Sequence, residues 1–180
     1  MGVVQPVLAA PPALGIGMDP EALSSGFRLA MRRLAATVSL IATRHDGIPV
    51  GMAATSVSSL AANPPSLLLS VSHGASLHQP LLAVGRFSVN VLRVAQRPLI
   101  PVFSGKLKGP ERFEHGNWQD EDGLPFLADA QAVMLCRVAG TMTHADSEVV
   151  IGVIEAVRVR DEIAPLVWQD GSAAETRLLK

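Results

Sequence analysis

The sequence predicts a mostly β protein: an antiparallel barrel carrying a few short helices. Three observations lead there. About six stretches of strand length are rich in Val, Ile, Leu and Thr. Only one long stretch carries helical periodicity. No regular alternation of strand and helix runs along the chain, which argues against a doubly wound parallel sheet. The 180 residues suit one domain with a real core, read as a loose arm over 1–18 and a folded domain over 19–180.

In chain order, Pro11, Pro12, Gly15 and Gly17 break the apolar opening stretch. Asp19-Pro20-Glu21 starts a helix, because Asp caps, Pro fits the first helical position and Glu suits the dipole. Leu23, Phe27, Met31 and Leu34 recur at helical spacing up to a stop near Ala36. Residues 37–43 are apolar and β-branched and read as a strand. His45-Asp46-Gly47 is a hairpin turn signal, with 50–54 as the returning strand. Residues 55–62 are small and hydroxyl-rich, and Asn63-Pro64-Pro65 breaks the chain before a Leu-rich strand over 66–72. Ser76 reads as the cap of a short helix running to Val84. The strand over 86–92 places Phe87, Val89 and Val91 on one face, with Ser88 and Asn90 on the other. A short helix near 94–103 is limited by Pro98 and Pro101, and 104–125 reads as a long polar loop. Long strands over 131–143 and 148–160 follow, joined tightly through 144–147. A last hairpin turns at Asp170-Gly171, between 165–169 and 176–179.

Composition removes several functions. The net charge is −1 and no long basic run appears, so nucleic-acid binding has no electrostatic support. No uninterrupted apolar run approaches the roughly 20 residues of a membrane helix. No Lys or Arg precedes Arg28, as a secretory or transit signal requires, so the cytoplasm is the expected location. Apolar residues at 48% against 17% charged leave more apolar surface than charge can cover, which points to a buried interface between copies. Cys136 is the only cysteine, so no internal disulfide exists; its apolar surroundings read as a buried structural thiol rather than a nucleophile.

The common catalytic templates fail. Gly15-Ile16-Gly17 lacks a third glycine and follows no strand. The histidines at 45, 73, 78, 115 and 144 show no paired ligand spacing in sequence, so no metal site is expected. Two segments remain. Gly51 to Ser59 is built of small residues that let a flat ligand approach the main chain, although an ordinary strand end with a Ser-rich turn has the same composition. Ser70 to Ser76 lies between a strand and a helix start, where Ser76 and the helix N-terminus suit a phosphate, with Lys106 and Lys108 adding charge; a capped turn beside a solvated loop is the plainer reading.

Taken in order, these pieces resemble the flavin reductase-like family. The matching pieces are 27–43 (FRLAMRRLAATVSLIAT), 51–65 (GMAATSVSSLAANPP), 67–76 (LLLSVSHGAS) and 87–92 (FSVNVL). Gln96, Phe103, Phe113, 123–130 (GLPFLADA), Cys136 and 146–152 (DSEVVIG) continue the series, so the resemblance spans about 22–180. It implies a split antiparallel β-barrel of the Greek-key, FMN-binding type, assembled as a homodimer. It implies reduction of FMN or FAD by NADH or NADPH, with reduced flavin passed to a separate monooxygenase component. The alternative is a flavin-binding barrel without efficient nicotinamide turnover.

By the same resemblance, Ala54, Thr55, Ser56 and Ser59 are expected at the ring edge and side chain of the flavin. Ser70, Val71, Ser72 and Ser76 are expected beside it, with Phe103 and Ser104 nearby and Lys106 toward a phosphate. One departure stands out. The family often carries Gly-Asp-His, its His linked to nicotinamide binding, where this chain has Ala145-Asp146-Ser147. Asp146 and Ser147 therefore mark the expected nicotinamide site without supplying its imidazole. His144 is near, but alternation along a continuing strand points it the other way, and Asp146 reads as a turn former.

Overall fold

The computed structural model describes Gly17 and residues 19–179; the rest of the arm expected over 1–18 lies outside the described residues. Helix α1 (Pro20–Arg32) begins as expected, with the Asp19 carboxylate accepting from the Ala22 N–H at 3.3 Å and Pro20 in the first turn. Among the described residues its apolar stripe is left exposed: Leu23 is 59% exposed and Phe27 61%. What ties it to the body is polar. Arg32 Nε–H donates to Asp170 Oδ1 at 3.1 Å, and the Asp170 N–H donates to the Arg32 carbonyl at 2.9 Å.

Among the described residues twelve strands follow: β1 (Ala36–Thr37), β2 (Ser39–His45), β3 (Ile48–Ala54), β4 (Val57–Ala62), β5 (Pro65–Ser72), β6 (Arg86–Val91), β7 (Trp118–Glu121), β8 (Leu124–Leu127), β9 (Ala132–His144), β10 (Ser147–Val159), β11 (Leu166–Gln169) and β12 (Ser172–Glu175). Helix α2 (His78–Val84) lies between β5 and β6. The main sheet is antiparallel throughout, in the order β3-β2-β6-β9-β10-β5-β4. Its two edges are consecutive in sequence, separated only by Thr55 and Ser56. Two residues can bridge opposite edges only if the sheet curls until those edges meet at a corner. Among the described residues no β ladder joins β3 to β4, so the expected barrel is not closed by hydrogen bonds. A second sheet, β1-β11-β12, and the β7–β8 hairpin complete the fold.

At β2 and β6 both faces of the curled sheet are covered. On β2, Leu40 packs with Leu92, Phe103 and Leu127, while its neighbour Ile41 packs on the other side with Leu69, Val71, Phe87 and Val150. The second face of β6, expected to be the polar one, is therefore buried as well. Asn90 Nδ2–H donates to the Leu40 carbonyl and to Ser88 Oγ, both at 2.9 Å. Asn90 Oδ1 accepts from the Leu127 N–H at 2.7 Å, and the Ser88 hydroxyl donates to the Pro125 carbonyl at 2.6 Å. These bonds satisfy the buried polar groups and fix β8 over β6. Gly152 of β10 faces Phe87: a Cβ there would lie 2.6 Å from Phe87 Cζ.

Several boundaries differ from the sequence reading. Residues 57–62, read in the sequence only as part of a small, hydroxyl-rich stretch, form edge strand β4. Leu77 rather than Ser76 occupies the N-cap of α2, and no side chain caps it. The expected loop over 104–125 contains a 3₁₀ turn (Gly109–Glu114) and the β7–β8 hairpin. The final hairpin returns at Ser172–Glu175, before the expected 176–179. No helix among the described residues is long and apolar enough to cross a membrane.

Candidate functional site

The end of β3 is made of Ala53 and Ala54, whose side chains are single methyl groups. Beyond them the chain turns at Thr55 and Ser56, both exposed, and enters β4. The Ser56 hydroxyl donates to the Ser70 carbonyl at 2.8 Å, and the Ser70 N–H returns to the Ser56 carbonyl at 3.4 Å. The two segments singled out in the sequence are thereby joined along one edge. Beside the corner lies an open groove of about 940 Å³. Ala54, Thr55 and Ser104 line it, together with Arg97, Ile100 and Trp168.

The remaining expected residues are placed as follows. Ser70 and Ser72 point away from the core while Val71 points into it, leaving Val71 only its main chain to offer. Ser59 is exposed on β4, and Ser76 is exposed in the β5–α2 turn. Lys106 is exposed at the end of a π turn (Val102–Lys106). Phe103 lies inside the core, edge-on to Phe113 at 5.4 Å and against Trp118 at 5.5 Å between ring centroids. Ala53, which lines the groove, packs against the core cluster that contains Phe103; Gly51 lets β3 approach Phe103, since a Cβ there would sit 3.2 Å from Phe103 and 2.9 Å from the Ile41 carbonyl. Arg97 and Trp168 were not anticipated. They lie far from Thr55 in sequence, and only the fold brings them to one groove.

At the same end of β5, two residues beyond Ser70, Ser147 pairs with Ser72 on one side and with His144 on the other. His144 thus shares a face with Ser147, contrary to the expectation from strand alternation. The two-residue turn Ala145-Asp146, with Ala145 at φ +51°, reverses the chain so that residues three apart become cross-strand partners. Asp146 Oδ1 accepts from the Ser147 hydroxyl at 3.1 Å. On the opposite face Glu148 is buried, and its carboxyl is held below the ordinary range by the Thr143 hydroxyl, with further help from Thr141 and His73 against the opposing effect of burial. Burial, with Glu155 nearby, pushes the Cys136 thiol up to about 12, so it is not an activated nucleophile.

The model of the flavin reductase like domain matches residues 31–177. The chain belongs to the flavin reductase-like family. The match covers the groove, the Ser56–Ser70 edge and the β9–β10 hairpin. Among flavin reductase relatives, the chain is 37% identical over 156 residues to the reductase component of an FADH(2)-dependent resorcinol hydroxylase from Rhizobium sp. (strain MTP-10005), covering 85% of this chain and 87% of that one. It is 35% identical over 144 residues to an NADH-dependent FMN reductase, RutF 2, of Methylorubrum extorquens (strain PA1), covering 79% and 84%. The solved flavin reductase PheA2 superposes with a TM-score of 0.79 at 27% identity, over 89% of this chain and all of that one.

Proposed function

We propose that this protein is an NAD(P)H:flavin oxidoreductase that reduces FMN or FAD and supplies the reduced flavin to a separate monooxygenase component. The observation that carries this reading is the Ser56–Ser70 edge beside an open groove, in a chain of the flavin reductase-like family. The relatives named as an FMN reductase and as a hydroxylase's reductase component support it. When bound, the flavin supplies the redox chemistry by accepting a hydride from the reduced nicotinamide, so no protein acid or base is required for that transfer.

The residues present fit a flat, polar-edged ligand. Ala53 and Ala54 hold the approach to the main chain open, and a larger side chain there would close it. Thr55, Ser59, Ser70 and Ser72 offer neutral donors and acceptors to carbonyls and ring nitrogens. Ser56 has its proton committed to Ser70 and keeps lone pairs to accept with. Ser76 and Lys106, which do not line the groove, are assigned to the phosphate end, and Arg97 is a cation that does line it. Asp146 and Ser147 are assigned to the nicotinamide, and His144, paired with Ser147 across the hairpin, offers an imidazole on the same face.

The same reading makes the protein a cytoplasmic homodimer with a split barrel. The exposed stripe of α1 is the surface a second copy would cover, and the corner between β3 and β4 is the split. A second reading, a flavin-binding barrel without efficient turnover, is favoured by Ser147 standing in place of the family's His. Fluorescence titration with FMN and FAD, run beside NADH and NADPH oxidation, separates the two. Tight binding with oxidation no faster than in free solution would establish the second reading.

A further inference from the structure

We propose that His73, His78 and Glu148 form a binding site for a divalent transition-metal cation of the zinc class. The three residues come from the turn just after β5, the first turn of α2 and the start of β10. Their ligand atoms all lie within 4.8 Å of one another, and His73 Nε2 is 3.5 Å from Glu148 Oε2. Ligands held about 2.0–2.2 Å from a tetrahedral zinc stand roughly 3.3 Å apart, so the His73–Glu148 spacing already fits. Two imidazoles and one carboxylate make up the protein ligand set of open zinc sites, and nitrogen-rich sets select transition metals over calcium or magnesium.

A second, independent observation points to a ligand. His78 is 7% exposed, and its Nε2 is buried without a hydrogen-bond partner. Its other ring nitrogen, Nδ1, lies 3.4 Å from the Gln79 side-chain nitrogen Nε2. A half-turn of that amide brings its oxygen to the ring; Nδ1 then carries the proton and the ring Nε2 presents a lone pair to the cluster. Glu148 is likewise oriented, by the Thr143 hydroxyl donating to Oε2 at 2.7 Å. Such outer partners are what metal ligands generally carry. His73 is partly exposed, which gives a cation a way in. A cation satisfies all three ligands at once, the His78 nitrogen included.

The site lies on the core-side face of the β10 start, opposite Ser147, so it is distinct from the groove. The His73 N–H already donates to the Asp146 carbonyl at 2.8 Å. A bound cation would add a clamp between the β5–α2 turn and the β9–β10 hairpin.

The test is a titration of the full chain, freed of metal by a chelator, with Zn²⁺ by calorimetry and with Co²⁺ by visible absorption. The expected result is one saturating equivalent per chain, a Co²⁺ ligand-field band and displacement of Co²⁺ by Zn²⁺. His73→Asn, at a partly exposed position, should keep the fold and weaken binding by about tenfold or more. Glu148→Gln should do the same where circular dichroism shows it folded. Absence of saturable binding, or binding of equal strength in His73→Asn, would overturn the proposal. Neither readout requires flavin or turnover.

Discussion

Ser56 and Ser70 exchange hydrogen bonds across the corner of the curled sheet, hydroxyl to carbonyl at 2.8 Å and N–H to carbonyl at 3.4 Å. Two short segments 14 residues apart thereby act as one ligand-facing edge.

Ser56→Ala removes the stronger of these bonds and leaves the main-chain one. A net hydrogen bond is worth about 0.5–1.5 kcal/mol, so flavin affinity should fall roughly two- to twelvefold. Ser56→Leu fills the corner and should weaken binding much further, with the circular dichroism unchanged. Fluorescence titration of both variants checks this; equal, near-wild-type affinities would place the flavin elsewhere.

Gly152 is required by packing. An added methyl at this position meets the Phe87 ring, whereas one at Gly140 finds only Ile151 Cδ1, at 3.9 Å. Gly152→Ala should destabilise the fold by about 1–3 kcal/mol through overpacking. Gly140→Ala should cost little. Urea denaturation of the pair reads the difference.

Cys136 should be inert. Its thiol is pushed up to about 12, so raising pH from 7 to 9 produces almost no thiolate in the folded chain. Iodoacetamide should fail to label the native protein across that range and should label it promptly in denaturant. Labelling of the native state that rises steeply between pH 7 and 9 would show an ordinary thiol.

The exposed stripe of α1 predicts a partner. Phe27→Asp should shift the protein from dimer to monomer in light scattering, and it removes no contact of the body's two apolar cores. A wild-type chain already monomeric at high concentration would contradict the homodimer.

Much of this fold was legible because local chemistry and global pairing agree. Asp46-Gly47 marks a tight turn, and both residues have positive φ. Asp19-Pro20 starts a helix in the sequence and in the structure. Strand β4 was hidden because an edge strand of Ser, Leu and Ala, mostly exposed, shows no alternation to read. The β7–β8 hairpin was hidden in polar residues, although Asp122-Gly123 carries the same turn signal as Asp46-Gly47. The candidate site divides in the same way. Its two Ser-rich segments are visible as composition. The groove is not, because Arg97 and Trp168 reach it through long-range packing. Nor is the His144–Ser147 pair, whose shared face depends on the turn having two residues. The same holds for the His73, His78 and Glu148 cluster, which exists only in the register that sets Glu148 opposite Val71.

The most direct measurement is steady-state oxidation of NADH and of NADPH by the purified protein, each with FMN, FAD and riboflavin. The expected result is oxidation that depends on flavin, saturates with it and exceeds the free-solution rate with at least one pairing. Flavin that binds while neither nicotinamide is oxidised above that rate would contradict it.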